Sequence, residues 1–258
     1  MPRGARLVLP HAPMHIVRRG NNKQACFFCD DDRALYLDLL ATHTLRTGCA
    51  VHAYVLMTNH VHLLVSGKSD SAIASLMKAV GERYVPYINK TYERSGSLWD
   101  SRFYSSLVQE DNYFLACHRY IELNPVRAGI AASPADYRWS SYAGNTGDKH
   151  DPLLQPHLVY AALAADPASR HAAYKQLFEQ EINDDMLAEL QRNVKRNRVT
   201  GDAAFTAQIA AALGRRANPA KPGRPVNQRT ISLKPGTVPL QEGEIFPDNL
   251  GLSPFRKD

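Results

Sequence analysis

The chain has 258 residues, of which 44% are hydrophobic and 22% are charged, and its formal net charge is +6. These values are typical of a globular protein in water, and no apolar run approaches the ~20 residues that a membrane-spanning helix needs. A basic start followed by the short apolar run 7–9 does not fit a signal peptide, so we expect a cytoplasmic protein with no membrane partner. The positive charge permits nucleic acid as a partner but does not establish one.

The four cysteines do not form a recognisable metal or disulfide pattern. Cys26 and Cys29 have the spacing of half a zinc site or of a redox motif. A second pair is missing, because Cys49 and Cys117 stand far apart. We therefore interpret all four as reduced structural thiols.

The first quarter of the chain predicts a strand, a helix and a strand hairpin. Residues 15–19 alternate weakly and predict a first strand. Residues 30–48 carry leucines at helical spacing behind an acidic start, which predicts a helix. Residues 50–57 and 60–65 are rich in β-branched and apolar side chains, and only residues 58–59 join them, so they predict a hairpin of two central strands.

The next part predicts a helix, a strand and a second helix. Residues 69–92 form a long helical pattern that Pro86 could kink. Residues 103–108 predict a strand, and residues 110–123 a helix that ends before Pro125. The element order indicates an α+β fold, an antiparallel sheet with helices packed on it, although the strand order is not readable.

Beyond residue 145 the composition changes. We predict a core domain over residues 1–145, a helical extension over residues 146–213, and a basic tail over residues 214–258 that is rich in Pro and Gly and disordered. Residues 192–229 contain nine basic residues and one acidic residue, a net charge of +8 that exceeds that of the whole chain. Such a block is either an interaction segment for nucleic acid or a solvated helix face with a flexible end.

Two histidines separated by one residue are the first candidate site. Side chains at alternate strand positions share a face, so His60 and His62 project together while Val61 points into the core. Two neutral imidazoles on a rigid strand suit a divalent metal, which then needs a third protein ligand from elsewhere. The alternative is a pair of surface histidines on a half-exposed strand.

A second candidate site lies near the end of the helix predicted over residues 110–123. If that helix reaches Asn124, Tyr120 and Asn124 lie about 40° apart on one face and Glu122 lies on the opposite face. An amide oxygen suits Mg²⁺ or Mn²⁺ beside imidazoles, and a tyrosine can form a covalent intermediate. Tyr113 is a rival nucleophile on nearly the same face, and either tyrosine can equally be a core residue.

These motifs resemble a known family. His60, Val61 and His62 match the histidine–apolar–histidine motif of HUH enzymes, and residues 120–129 resemble the tyrosine helix of single-tyrosine HUH transposases. The resemblance is to REP-associated tyrosine transposases, which are related to insertion-sequence transposases, and it covers about residues 10–145. Supporting matches lie at residues 18–22, 54–59, 98–103 and 137–142.

The resemblance implies a ferredoxin-like fold and an enzyme that cleaves and rejoins single-stranded DNA at palindromic hairpins. Tyr120 would be the nucleophile and form a 5′-phosphotyrosine, and His60, His62 and Asn124 would bind Mg²⁺ or Mn²⁺. The protein would act as a monomer or a homodimer, and it would lie on the nucleoid when bound to DNA.

Basic residues supply candidate DNA contacts. Arg102 and Arg127 are candidate phosphate ligands, with surface arginines as the alternative. Residues 221–225 resemble the core of an AT-hook without its preceding arginine, and a flexible basic linker is the alternative. The DNA-binding candidates in the tail are Arg215, Arg216, Lys221 and Arg224.

Two other functions compete with a DNA strand transferase. One is a DNA-binding protein that has lost catalysis and acts on palindromic repeats as a repressor. The other is a metal-dependent hydrolase that uses the two histidines and needs no tyrosine. The presence of His60, His62 and Tyr120 together favours the strand transferase.

Overall fold

Four strands form an antiparallel sheet in the computed structural model, which describes residues 6–110, 112–214 and 217. Their order in the sheet is β2-β3-β1-β4, and two helical connections, β1 to β2 and β3 to β4, cross one of its faces, which is the ferredoxin-like arrangement. The expected α+β, ferredoxin-like fold is thus confirmed. The strands are β1 (Met14–Arg19), β2 (Cys49–Met57), β3 (His60–Gly67) and β4 (Tyr104–Leu107).

Helices α1 (Asp30–Thr47) and α2 (Ala72–Thr91) pack against one another on the first face of the sheet. α1 begins where the Asp32 carboxylate accepts hydrogen bonds from the backbone N–H groups of Phe28 and Cys29, and it ends at Gly48, which has a φ of 67°. α2 runs through Pro86 to Thr91 without a break. The core on this face contains Ile16, Tyr36, Leu40, Leu63, Leu76 and Tyr84.

The second face of the sheet is covered by α3 (Asn112–Glu122), the short helix α4 (Asn124–Arg127) and later helices. Strand residues alternate between the faces, so Leu63 joins the first core and Leu64 the second. α3 ends at Glu122 rather than continuing to Asn124, because Pro125 fits the first turn of a new helix, where no backbone N–H is needed.

The short helix α5 (Tyr142–Asn145) ends just before the extension, which contributes α6 (Leu158–Ala161), α7 (Pro167–Gln176), α8 (Asp184–Arg196) and α9 (Ala203–Ala212). α6, α7 and α8 complete the core on the second face, and the buried side chains of that core include Tyr160, Tyr174 and Leu190. All described residues belong to one compact unit. The division of the chain into residues 1–145, 146–213 and 214–258 stays a prediction.

Chain segments from the extension run alongside both outer strands. Thr200 exchanges backbone hydrogen bonds with Leu107 and Gln109, next to β4. On the other side, Gln155 donates its backbone N–H to Val51 of β2, and Leu56 donates to Trp139. The extension is therefore hydrogen-bonded into the sheet and not only packed on it.

The four cysteines are free thiols, as expected for reduced structural residues. Within the described ranges, even the longest helices are too polar to cross a membrane.

Candidate active site

The two histidines lie on the second face of the sheet, beneath α3. In the pairing of β1 with β3, His60 stands opposite Arg19 and His62 opposite Val17. Val61 is buried in the core on the other face, as the strand alternation predicts. His62 is only 4% exposed and His60 is half-buried, so neither is a freely solvated surface residue.

The candidate residues from β3 and from the end of α3 meet at one cavity of about 380 Å³. His60 and His62 form its floor, and Tyr120 and Asn124 line it from above. Sequence reasoning had placed these four together, and the structure brings them to the same space. The cavity is also lined by Val17, Arg19, Tyr104, Gln191, Val194 and Lys195.

Burial keeps both imidazoles neutral. Desolvation lowers the pKa of His60 to about 4, and the nearby Arg19 guanidinium adds to the effect. Desolvation also places the pKa of His62 well below its usual value, with further contributions from His60, His15 and two arginines. A neutral imidazole is the form that binds a metal, so near pH 7 both histidines are in the ligand state.

Hydrogen bonds fix the ring of His60. Its Nδ1 lies 2.6 Å from Asn59 Oδ1, and the Asn59 amide is oriented by donating its Nδ2–H to the Lys23 carbonyl. Because an amide oxygen can only accept, Nδ1 of His60 carries the proton and Nε2 keeps its lone pair. The lone pair of Nε2 is then available to a cation.

A third histidine, His15 of β1, lies behind His62. Its Nε2 is 2.9 Å from His62 Nδ1, and the two rings stack with centroids 5.1 Å apart. Burial lowers the pKa of His15 to about 3, with Arg127 adding to the shift, so this pair is neutral as well. The other ring nitrogen of His15, Nδ1, is buried without a hydrogen-bond partner in the described chain.

Tyr120 is 5% exposed, and its ring meets the rings of His15 and His62 edge-on at 5.5 and 5.6 Å. Arg127 lies over this ring at 4.3 Å and donates from Nη2 to the Tyr120 carbonyl oxygen. Desolvation raises the pKa of Tyr120 to about 12, and the charge of Arg127 opposes that shift. Tyr120 is therefore a protonated phenol at neutral pH.

Asn124 caps the end of α3 with its side chain. Its Nδ2 donates to the carbonyl oxygens of Tyr120 at 2.9 Å and Ile121 at 3.2 Å. Both donor hydrogens are used in this way, which leaves Oδ1 as the group that can accept or coordinate. Glu122 lies on the opposite side of α3 and is fully buried, as the helical spacing predicts.

The donor set fits a small divalent cation. Two neutral imidazoles and one amide oxygen are chemically suitable for Mg²⁺ or Mn²⁺, with water completing the coordination. No group of three or more His, Cys, Asp or Glu side chains in the described part of the chain is arranged to hold a metal. The amide oxygen of Asn124, which lines the same cavity, is the candidate for a third protein ligand.

The candidate DNA-binding arginines lie in different places. Arg127 is held against Tyr120 and does not line the cavity, and Arg102 is exposed and away from it. Tyr113, the rival nucleophile, points its hydroxyl at Glu189 of α8 at 3.4 Å and does not line the cavity. Arg215, Arg216, Lys221 and Arg224 lie outside the described residues.

Sequence reasoning missed the residues that β1, β4 and α8 bring to the site. His15 and Arg19 share the face of Val17 at strand spacing, and this alternation was a usable signal. Gln191 and Lys195 had no such signal, because their position depends on how α8 packs against β4.

Comparison with known proteins finds similarity to transposases. Residues 9–124 match the protein family described as "Transposase IS200 like". A solved REP-associated tyrosine transposase, bound to a REP hairpin, has a similar fold, with a TM-score of 0.51 and 12% identity over 61% of this chain and 93% of that one. A putative transposase from Deinococcus radiodurans R1 is 18% identical over 50% of this chain and 92% of that one, at a TM-score of 0.33. No curated protein matches the sequence.

The matched range contains both histidines of the cavity together with Tyr120 and Asn124. On this match, residues 9–124, just under half of the chain, are similar to the IS200-like transposase family.

Proposed function

We propose that the protein is a single-tyrosine transposase that cleaves and rejoins single-stranded DNA beside hairpins. The observation that supports this proposal is that Tyr120, His60, His62 and Asn124 line one cavity. The REP-associated transposase of similar fold is bound to a REP hairpin, and this supports a hairpin-bearing strand as the substrate.

In the proposed reaction the Tyr120 hydroxyl oxygen attacks the scissile phosphorus and loses its proton. A phosphorus–oxygen bond forms to the tyrosine while the bond to the 3′ oxygen breaks, and that oxygen takes up a proton. The products are a 5′-phosphotyrosine and a free 3′-hydroxyl. Attack of a 3′-hydroxyl on the phosphotyrosine reverses the step, so the strand is rejoined without ATP.

The chain's own groups would prepare this attack. Arg127 fixes the Tyr120 ring and its positive charge favours the phenolate, against the desolvation that raises the pKa of Tyr120 to about 12. A divalent cation held by His60, His62 and Asn124 would supply polarisation of the scissile phosphate and offset the negative charge that develops there.

The first test concerns the nucleophile. Tyr120→Phe removes only the attacking oxygen, so it is expected to bind a hairpin oligonucleotide as the wild type does and to form no covalent adduct. The measurement is a denaturing gel of protein incubated with labelled DNA. Tyr113→Phe is the matched control and should keep the adduct, because Tyr113 points to Glu189 and not into the cavity.

A wild-type protein that forms no adduct would favour a DNA-binding protein without catalysis. Adduct that persists in Tyr120→Phe and disappears in Tyr113→Phe would transfer the role to Tyr113.

The second test concerns the cation. Cleavage is expected to stop in EDTA and to return with Mg²⁺ or Mn²⁺, and His60→Ala and His62→Ala should each lose at least tenfold in rate, since each removes one ligand. The rate is measured with the same oligonucleotide, and circular dichroism checks that the variants remain folded. Full activity in EDTA would leave the histidines with a structural role only.

A further inference from the structure

One wall of the candidate active site comes from the extension and not from the residues that match the family. Gln191 and Lys195 stand one turn apart on α8, so they share a helix face, and both line the cavity that contains Tyr120. α8 lies outside the family match, which ends at residue 124. This wall is therefore a feature of this chain that the family assignment does not explain.

α8 is held firmly in this position. Leu190 and Val194 are both buried, and Leu190 belongs to the core on the second face of the sheet. Asn193, also buried, donates to the Val199 carbonyl oxygen, and Asn197 accepts the backbone N–H of Ser105 in β4. Because buried contacts and hydrogen bonds fix both ends of this turn, Gln191 and Lys195 face the cavity without a rearrangement of the fold.

The cavity carries positive charge that no partner in the described chain neutralises. Lys195 is exposed, and among the described residues neither its ammonium nor the Arg19 guanidinium makes a hydrogen bond or an ion pair. No carboxylate belongs to the described lining of the cavity. Two cations and an amide donor surround a space that suits an anionic ligand.

We propose that Lys195 and Gln191, with Arg19 from β1, form a phosphate-binding subsite for the DNA strand beside Tyr120. This inference rests on the proposed function and adds a substrate contact to it. A phosphodiester carries one negative charge and two acceptor oxygens, which Lys195 pairs as a point charge and Arg19 as a planar fork. Such contacts read no base, so the subsite positions the strand without selecting its sequence.

Lys195→Gln tests the subsite against Arg196→Gln as its matched control. Both residues lie in the last turn of α8 and both changes remove one charge, but Arg196 does not line the cavity. Each is made in the full-length Tyr120→Phe protein, so that binding is measured without cleavage. Affinity for a hairpin oligonucleotide with a single-stranded flank is measured by fluorescence anisotropy across a NaCl series.

Lys195→Gln is expected to make the log–log salt slope shallower by about 0.7, the value for one phosphate contact on a single strand, while Arg196→Gln leaves the slope unchanged. Adding Arg19→Gln should double the change to about 1.4. Equal slopes for Lys195→Gln and the parent protein would overturn the proposal. So would an equal change in both single variants, since that would indicate general electrostatic attraction.

Gln191→Glu gives an independent arm. A carboxylate at this position would repel the phosphate, so binding should weaken at low salt and recover as salt screens the repulsion. Gln176→Glu, exposed at the end of α7, adds the same charge elsewhere and should have no comparable effect. Equal affinity of Gln191→Glu and Gln176→Glu at low salt would contradict a phosphate near Gln191.

The adduct assay on wild-type protein separates this inference from the proposed function. Adduct formation together with an unaltered salt slope in Lys195→Gln would leave the proposed function standing and remove the subsite. Absence of any adduct would remove the proposed function, and the subsite as a substrate contact would fall with it even if the slopes differ.

Discussion

His62 of the candidate metal site is stacked on His15 of the neighbouring strand β1 and lies within hydrogen-bonding distance of it. If Nε2 of His62 coordinates a cation, Nδ1 must carry the proton and donate it to His15 Nε2, which lies 2.9 Å away. His15 then carries its own proton on Nδ1. A group that is hydrogen-bonded to the non-coordinating ring nitrogen fixes the tautomer and the ring orientation of a metal-binding histidine. We therefore expect His15 to act through His62 as a positioning residue.

His15→Phe removes the acceptor and keeps a ring of similar size, so it should weaken the affinity for Mn²⁺ by 10- to 100-fold, roughly the range found for such partners. Mn²⁺ binding is measured by electron paramagnetic resonance in the absence of DNA. His15→Gln places an amide oxygen near the position of Nε2 and should recover most of the affinity.

Thermal unfolding in EDTA serves as the control for His15→Phe. Little loss of stability is expected, because the change also removes a buried nitrogen, Nδ1, that has no partner in the described chain. Equal Mn²⁺ affinity in wild type, His15→Phe and His15→Gln would show that His15 only fills space.

At this scale the sequence predicted part of the arrangement of the candidate site. The shared face of His60 and His62 follows from strand alternation, which is a local rule. The helical spacing proposed for Tyr120 and Asn124 assumed one continuous helix, whereas α3 ends at Glu122; Asn124 still reaches the cavity, from α4. The contact between His15 and His62 spans 47 residues and depends on the register of β1 against β3. Register was not readable from the sequence, so this pairing could not be predicted.

Among the elements, α3 has one face at the cavity and the opposite face in the buried core. Tyr120 faces the cavity, while Glu122 is fully buried on the other side. The Glu122 carboxylate accepts hydrogen bonds from Ser141 and Asn145 on one oxygen and from Tyr174 on the other. Desolvation nevertheless raises its pKa to about 7, and the three hydrogen bonds only partly oppose the shift. This network joins α3 to α5 and α7.

The raised pKa predicts a pH-dependent stability. The folded protein holds the Glu122 proton more tightly than the unfolded chain does. The protonated side chain therefore adds its full contribution to the free energy of unfolding below pH 4.5, and this contribution is lost as the pH rises through 7. Glu122→Gln cannot ionise, so it should be more stable than wild type at pH 8. The difference in the free energy of unfolding between the two proteins should be smaller by roughly 2 kcal/mol at pH 5. Urea denaturation at both pH values, in EDTA, measures the gap.

Glu179→Gln, at an exposed position, is the control for the loss of one carboxylate and should show little change between the two pH values. A gap between Glu122→Gln and wild type that is constant with pH would mean that Glu122 keeps its charge in the folded protein.

The predicted elements agree with the structure where periodicity is strong. The four strands and helices α1, α2 and α3 lie close to their predicted ranges, since apolar side chains repeat there at strand or helix spacing. The separate helix α4 was not predicted, because a proline can either end a helix or lie in the first turn of a new one. The helical extension predicted over residues 146–213 contains the separate helices α6, α7, α8 and α9.

For the whole molecule, the basic tail remains a proposal for sequence-tolerant DNA affinity. Removing all residues after Ala217 keeps the described fold, since Ala217 is itself buried, and deletes Lys221, Arg224 and Arg229. If each makes one phosphate contact, the salt slope should become shallower by roughly 2 units. Cleavage at saturating protein should be unchanged, because Tyr120, His60, His62 and Asn124, which line the cavity, all remain. Hairpin binding across a salt series gives the slope.

An unchanged salt slope would mean that Lys221, Arg224 and Arg229 make no phosphate contacts with the DNA. Loss of cleavage at saturation would show instead that the deleted part supports the catalytic site. A cut after Val199 would be a poorer experiment, because it removes Thr200, which is hydrogen-bonded to Leu107, and the whole of α9.

The segments alongside the outer strands also limit how copies of this protein can associate. An unpaired edge strand is a template on which a second chain adds its own strand, either in a dimer or in an aggregate. Here the outer side of β4 is occupied around Thr200, and that of β2 around Ser140 and Leu154. The sheet is therefore closed to strand addition at these points, and a second copy would have to contact other parts of the surface.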